Sequence, residues 1–147
     1  MKANRLFIAC VAALSLAACG GGTELNATLS GAAEKPTAVQ TSATGSSKVT
    51  IEDMKLTVEG TFTGLSGNAT AAHIHGPADE NSVAGVFCNL SVQMATTGTI
   101  TAGSGENSCA SKTLTEAEVT QFENGMFYVN IHTAANGGGE IRGQLKK

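Results

Sequence analysis

The segment Leu56-Thr57-Val58-Glu59-Gly60-Thr61-Phe62 decides the fold class, because apolar or small residues occupy every second position. A period of two residues is typical of a β-strand with one buried face. The same alternation recurs in shorter form from Leu25 to Leu29 and from Val49 to Ile51. The chain is therefore predicted to form strands whose alternate side chains share a hydrophobic core.

Further strands are predicted from the same signals at residues 71–75, 83–92, 98–101, 127–132 and 140–145. Turn formers such as Asn136-Gly137-Gly138-Gly139 separate them. Many short strands with glycine-rich turns favour an all-β fold, and we expect an antiparallel β-sandwich with Greek-key-like connections. One short connecting helix is predicted from Thr113 to Asn124, with Thr115 as its N-terminal cap.

Residues 1–18 are predicted to be a signal peptide, since a basic start with Lys2 and Arg5 precedes an apolar run from Leu6 to Leu16. That run is shorter than the roughly 20 apolar residues of a membrane-spanning helix. The sequence Leu16-Ala17-Ala18-Cys19 resembles the bacterial lipobox, which implies cleavage before Cys19 and lipidation of its thiol. The alternative is an ordinary secretory leader that contains a cysteine.

The predicted mature protein consists of the lipidated Cys19 with a flexible tether over residues 19–23, followed by one domain over residues 24–147. Several acyl chains on one cysteine would hold the protein stably on a membrane. Gly20 follows the cysteine, which by the usual sorting pattern of Gram-negative lipoproteins favours the outer membrane. The expected partner is therefore a membrane, and no protein or surface ligand can be identified from the sequence.

The charge of the chain argues against nucleic acid as a partner. The chain has 9 basic and 12 acidic residues, and loss of Lys2 and Arg5 with the leader makes the remainder more acidic still. Phosphate binding requires a concentrated basic patch, which the scattered lysines do not form. The absence of Trp also leaves little material for base stacking.

Two cysteines, Cys88 and Cys109, remain after Cys10 leaves with the leader and Cys19 takes lipid. An even pair in an exported protein predicts a Cys88–Cys109 disulfide. The alternative is a thiolate metal site, which the lack of a Cys-x-x-Cys spacing disfavours.

Four ordered motifs set the domain apart, and together they resemble the CHRD domain, a module named after its repeats in chordin. They are Leu29–Glu34 (LSGAAE), Gly60–Gly67 (GTFTGLSG), Ala71–Ala78 (AAHIHGPA), and Tyr128–Thr133 (YVNIHT) with Gly139–Leu145 (GEIRGQL). The likeness runs from about Leu25 to Leu145. It implies an extracytoplasmic β domain and no particular reaction.

All three histidines lie on polar faces of predicted strands. His73 and His75 point to one side of their strand, and His132 lies opposite the apolar residues of another strand. Glu140 and Arg142 occupy the polar face of the last strand, where they are candidates for a second shell. A His-x-His pair with a third histidine from a neighbouring strand is a three-nitrogen site suited to copper or zinc.

The histidine pattern also resembles copper-zinc superoxide dismutase, although more weakly. Carried over by position, His73, His75 and His132 would be copper ligands, and Arg142 would guide an anionic substrate. The chain departs from that enzyme family in lacking a fourth histidine for a bridging ligand and a His-rich loop for zinc. Dismutase activity is therefore not expected, whereas a copper site remains a hypothesis.

Two functional hypotheses follow. The first is a non-catalytic lipoprotein of the cell envelope that acts in binding or adhesion, with structural histidines and a surface ion pair between Glu140 and Arg142. The second is a copper- or zinc-binding or redox protein of the same compartment. No catalytic residue is predicted, since the chain has neither a Gly-x-Ser-x-Gly elbow nor a cysteine placed as a nucleophile.

The anchor prediction can be checked with Cys19→Ser. We expect this change to move the protein from the detergent phase to the aqueous phase, or to leave the leader uncleaved, because the acylated thiol is lost. Phase partitioning and the mass of the N-terminal fragment measure the result. Unchanged partitioning would rule out lipidation at Cys19.

Overall fold

The computed structural model describes residues 22–147 as eight β-strands and one α-helix. All of the strand pairs are antiparallel. The elements are β1 (Thr23–Ser30), β2 (Thr44–Glu52), β3 (Lys55–Thr63), β4 (Ala69–His75), β5 (Val86–Val92), β6 (Gly98–Thr101), α1 (Glu116–Glu123), β7 (Tyr128–Thr133) and β8 (Ile141–Gln144).

The strands close into one barrel in the order β1-β2-β3-β6-β5-β4-β7-β8, so the prediction of a two-sheet sandwich is wrong. Closure occurs where β1 meets β8 at Ser30 and Arg142. A second bridge lies beyond the strand, where the backbones of Asn26 and Lys146 exchange hydrogen bonds of 2.7 and 2.9 Å. Alternation reveals that one face is buried but not whether the first and last strands pair, which is why sequence pattern did not distinguish the two architectures.

Glycine permits the close approach of β8 to β1. A Cβ atom at Gly143 would lie 2.5 Å from the carbonyl oxygen of Thr28, nearer than real Cβ contacts come. Only a residue without a side chain allows the two backbones to pass at this distance. Gly143 therefore belongs to the closure of the barrel.

The connections have Greek-key order, as predicted. Strands β4, β5 and β6 follow one another in the chain and are neighbours in the barrel. The next strand in the chain, β7, returns to lie beside β4, and β3 lies beside β6. A set of three consecutive strands with the fourth beside the first is the Greek key. The long connection from β6 to β7 contains the helix.

The core fills the interior of the barrel with the alternate residues that the sequence pattern selected. The helix joins it through Phe122, whose ring stacks on Phe127 with centroids 3.8 Å apart. The fully buried apolar residues of the strands are Leu25, Leu29, Val49, Ile74, Val129, Ile131 and Ile141.

Helix α1 begins where the sequence predicted it. The Thr115 side chain accepts a hydrogen bond from the Glu118 backbone, and the Glu118 carboxylate accepts one from the Thr115 backbone N–H at 2.7 Å. This reciprocal capping box satisfies two backbone donors at the helix start. The helix is shorter than the predicted segment because only Glu116–Glu123 has helical geometry.

The predicted disulfide is confirmed. Cys88 of β5 is bonded to Cys109, which lies in a short 3-10 turn (Cys109–Ser111) within the connection from β6 to β7. Both cysteines are almost fully buried. The bond therefore fastens this connection to the barrel wall beside β5.

The predicted signal peptide and Cys19 lie outside the described residues, as does most of the tether. Thr23, assigned to the tether, is the first residue of β1 and pairs with Ile51. Among the helices of the described residues, none has the length and apolar character that crossing a membrane requires.

A buried carboxylate ties three loops to the start of β8. The carboxylate oxygens of Glu140 accept hydrogen bonds from the Ser66 backbone N–H at 2.8 Å and from the Ser66 hydroxyl at 2.7 Å. Thr41, Thr133 and Asn136 donate three more, at 2.9, 2.7 and 3.1 Å. Burial acts to raise the pKa of Glu140, but these hydrogen bonds outweigh it and hold that pKa at about 2.

The expected ion pair between Glu140 and Arg142 does not form. The Glu140 side chain is fully buried and engaged by the hydroxyl, amide and backbone donors of the loops. No salt bridge joins it to Arg142 in residues 22–147. This prediction was wrong because five uncharged donors engage the Glu140 carboxylate, and those from Thr41 and Ser66 come from segments distant in sequence.

Removal of the disulfide with Cys88→Ala and Cys109→Ala should lower the free energy of unfolding by about 3 kcal/mol, because a loop of this size no longer restricts the unfolded chain. The melting temperature should fall by about 10 °C. Thermal unfolding followed by circular dichroism measures the change, and the reduced wild-type protein is the matched control. A melting temperature equal to that of the oxidised wild type would contradict the expectation.

Glu140→Gln should lower the free energy of unfolding at pH 7 by as much as about 3 kcal/mol. The folded pKa of about 2 lies below the ordinary value of 4.5, so the stabilisation is present above pH 4.5 and is lost as the pH falls toward 2. Urea unfolding between pH 2 and pH 7 measures the effect, which Glu140→Gln should largely flatten in the acid range.

Glu34→Gln is the matched control for this experiment. Burial raises the pKa of Glu34 to about 7, so its contribution has the opposite sign and stability is lost as the pH rises through 7. Equal acid profiles for wild type and Glu140→Gln would show that Glu140 does not stabilise the fold in the expected way.

Candidate metal centre

The polar outer face of β7 and β8 is covered by loops rather than exposed to solvent, whereas the outward side chains of β4, His73 and His75, are half-buried. Asn130 and Arg142 are each only 2% exposed and His132 only 9% exposed. The sequence placed these side chains on the correct face of their strands, opposite Val129 and Ile131 of the core. It did not reveal that the loops at residues 76–85 and 134–139 fold back over that face.

His73, His75 and His132 converge on one point outside the barrel. One ring nitrogen from each histidine lies within 4.8 Å of the others. His73 and His75 are two residues apart on β4, and His132 of β7 lies opposite Ala71, diagonal to His73. In residues 22–147, they form the one cluster of three or more metal-ligating side chains.

Backbone carbonyls fix the orientation of two imidazole rings. The Nδ1–H of His75 donates to the carbonyl oxygen of Ala84 at 3.0 Å, and the Nδ1–H of His132 donates to that of Gly137 at 3.1 Å. A carbonyl can only accept, so both rings carry their proton on Nδ1 and a lone pair on Nε2. Such an outer hydrogen bond is usual for metal-binding histidines.

His73 completes the cluster through its Nδ1 atom, which lies 3.0 Å from Nε2 of His132. Because Nε2 of His132 holds a lone pair, His73 donates its Nδ1–H to it. Nε2 of His75 and Nε2 of His132 can ligate a metal as they stand, and Nδ1 of His73 can do so once its proton moves to Nε2 of the same ring. Bonds of about 2.0 Å require nitrogens no more than about 4 Å apart, so metal binding must draw the rings together by about 1 Å.

The site favours neutral imidazoles, the form that ligates metals. Burial and the neighbouring imidazoles lower the pKa of His73 from 6.5 to about 4. Burial also lowers the pKa of His75 and of His132. All three rings are therefore ready to bind a cation at neutral pH without first losing a charge.

Tyr128 and Arg142 form a stack that extends from the cluster. The ring of Tyr128 lies parallel to that of His75, with centroids 5.0 Å apart and an interplanar angle of 5°. The Arg142 guanidinium carbon lies 3.5 Å from the centroid of the Tyr128 ring. Tyr128 thus lies between Arg142 and the histidines, whereas Glu140 binds the loops described above.

Three groups of the site were given no role by the sequence: Tyr128 and the carbonyls of Ala84 and Gly137. Alternation places Tyr128 on the same face of β7 as His132, four residues before it, but a tyrosine there is no signal of contact with an imidazole. Its hydroxyl accepts a hydrogen bond from the Ala84 backbone at 3.1 Å, which holds the covering loop. The two carbonyls carry no sequence signal, since every residue has one.

Three neutral nitrogens on two adjacent strands can bind Cu²⁺ or Zn²⁺ and leave a coordination position open. The geometry fits this donor set because the Nδ1 atoms of His75 and His132 already donate to backbone carbonyls, which fixes the orientation of both rings. No nucleophile is placed beside the cluster by the described contacts. The three ring nitrogens are therefore candidate ligands for one metal ion.

Comparison with known protein families identifies the family of this domain. The model of the CHRD domain matches residues 25–145, which include all three histidines and both disulfide cysteines. Neither the curated proteins nor the solved structures yield a significant match. Since the matched segment spans nearly all of the described barrel, the chain belongs to the CHRD domain family.

Proposed function

We propose that the domain binds one copper ion through His73, His75 and His132, with zinc as the competing metal. The observation that carries this proposal is the Nε2 atom of His75, which is buried and has no hydrogen-bond partner. A buried polar atom without a partner costs about 1–3 kcal/mol. A metal ion at the centre of the cluster would bind that lone pair.

The alternative is that the histidines are structural. In its favour, His73 and His132 are hydrogen-bonded to each other, and His75 and His132 are bonded to carbonyl oxygens. A purely structural network would nevertheless be expected to satisfy both nitrogens of a buried ring. The convergence of ring nitrogens from His73 and His132 on the unpartnered nitrogen of His75 favours a ligand set over a hydrogen-bonding network.

Copper is preferred to the other first-row metals for two reasons. Imidazole suits both copper and zinc, and divalent affinities rise along the series to Cu²⁺. The disulfide between Cys88 and Cys109 is typical of an oxidising compartment, where Cu²⁺ is the stable copper ion. Zinc satisfies the same ligands and differs chiefly in preferring a tetrahedral arrangement.

The proposal places the metal centre in a non-catalytic module of the bacterial cell envelope. The lipobox-like sequence before Cys19 supports a lipid anchor, and Gly20 supports the outer membrane. The glycines that follow would separate the barrel from the membrane surface. The role is binding of the metal rather than turnover, and dismutase activity is not part of the proposal.

A copper titration of the purified protein tests the metal centre. Cu²⁺ should bind at about one equivalent and raise the melting temperature, because only the folded state offers the three nitrogens together. The electron paramagnetic resonance spectrum should show coupling to nitrogen ligands. His75→Ala and His132→Ala should each abolish the gain in melting temperature.

The controls separate a metal ligand from a structural histidine. Thr57→Ala changes an exposed residue of β3 and should leave copper binding intact. His73→Gln provides a second ligand variant with a less drastic loss of side-chain volume. If metals have no effect on the wild type while His132→Ala destabilises the metal-free protein by more than about 2 kcal/mol, the histidines are structural and the binding or adhesion hypothesis stands.

A further inference from the structure

Arg142 is a buried cation without an anionic partner. Its side chain is only 2% exposed. In residues 22–147 no carboxylate lies within ion-pair distance of it. Arginine is almost never buried unless its charge is paired, because loss of solvation costs several kcal/mol.

The contacts of Arg142 use only part of its hydrogen-bonding capacity. Its Nη2 atom donates to the carbonyl oxygen of Asp79 at 3.1 Å and to Oε1 of Gln144 at 3.2 Å. Both acceptors are neutral, and the face of the guanidinium rests on Tyr128. A guanidinium has five N–H donors, and its Nε and Nη1 atoms have no acceptor among the described side chains and backbone.

A cleft of about 460 Å³ adjoins Arg142 on the outside of β1 and β8. The loop that follows β1 and the turn at residues 79–82 form its other walls. Its lining is rich in hydrogen-bond donors that include Asn26, Thr28, Lys35, Asn81, Arg142 and Lys146.

The charges around the cleft leave two cations for a ligand. Lys146 pairs with Glu80, so these two charges largely offset each other. Lys35 forms no salt bridge with the described residues. The nearby Glu34 is only partly ionised at neutral pH, because burial raises the pKa of its carboxyl to about 7, and its Oε1 accepts a hydrogen bond from the amide of Asn130 at 2.8 Å. The carboxylates of Glu34 and Asp79 act on Arg142 through space, but neither forms a salt bridge with it.

We infer that this cleft binds an oxyanion group, either a carboxylate or a phosphate, with Arg142 as the anchor and Lys35 as the second cation. The Nε and Nη1 atoms lie on different edges of the guanidinium, and each can donate a single hydrogen bond to an oxygen of such a group. The positive charge of Arg142 strengthens these bonds. Tyr128 lies between Arg142 and His75, so this site is separate from the proposed metal centre. It does not depend on copper binding.

Titration of the metal-free protein with inorganic phosphate and with acetate tests the site, and sodium chloride at matched ionic strength is the control. The ¹⁵N resonance of Arg142 Nε should shift on addition of the oxyanion and not of chloride. Lys35→Ala should weaken binding by several-fold, and Arg142→Lys by about tenfold, since the compact ammonium of lysine does not reproduce the planar array of N–H donors of the guanidinium. Lys48→Ala, on the outer face of β2, should leave the affinity unchanged.

The outcomes distinguish the ligand class and decide the proposal. A larger response to phosphate identifies a phosphate site, and a larger response to acetate identifies a carboxylate site. If Arg142→Lys fails to fold, the Arg142 resonance in wild type and the Lys35→Ala affinity carry the test. The proposal is overturned if neither anion shifts the Arg142 resonance, or if Lys35→Ala and Lys48→Ala change the affinity equally.

Discussion

Strand β7 is buried on both faces, and the rest of the structure depends on how those two faces are covered. On the inner face, Val129 and Ile131 pack in the barrel core. On the outer face, Tyr128, Asn130 and His132 are covered by loops instead of water. The neighbouring strands β4 and β8 extend this polar layer to either side. The polar side chains of β7 are therefore held on a strand whose opposite face is packed in the barrel core.

Burial of that outer layer shifts the pKa of each titratable group, and the direction of the shift depends on the hydrogen-bond partners of the group. Glu140 obtains five donors and its pKa is lowered, whereas Glu34 has fewer and its pKa is raised. The histidines keep neutral rings because burial disfavours their charged form. Among the described residues, Nε2 of His75 and Oδ1 of Asn130 are buried without a hydrogen-bond partner, and Arg142 uses only its Nη2 atom to donate to protein acceptors. His75 and Arg142 are the incompletely paired groups that can bind a ligand.

Much of this arrangement could be predicted from local pattern. Alternation identified the strands and the face of each histidine, and the Thr115 capping box identified the start of the helix. The pairing of Cys88 with Cys109 followed from counting cysteines. The partners of Glu140 could not be predicted, because Thr41 and Ser66 are distant in sequence and carry no mark that sets them apart from other hydroxyl residues.

The sequence by itself determined the all-β class, the inward and outward alternation of each strand and the disulfide. It also determined that the three histidines lie on two strands. These features depend on residues close together in the chain or on simple pairing. Only the tertiary structure decided that Ser30 meets Arg142 to close a barrel, and that Ala84 and Gly137 turn their carbonyls toward the histidines. The reason is physical: closure and loop coverage depend on backbone contacts between distant segments, and backbone groups are the same in every residue.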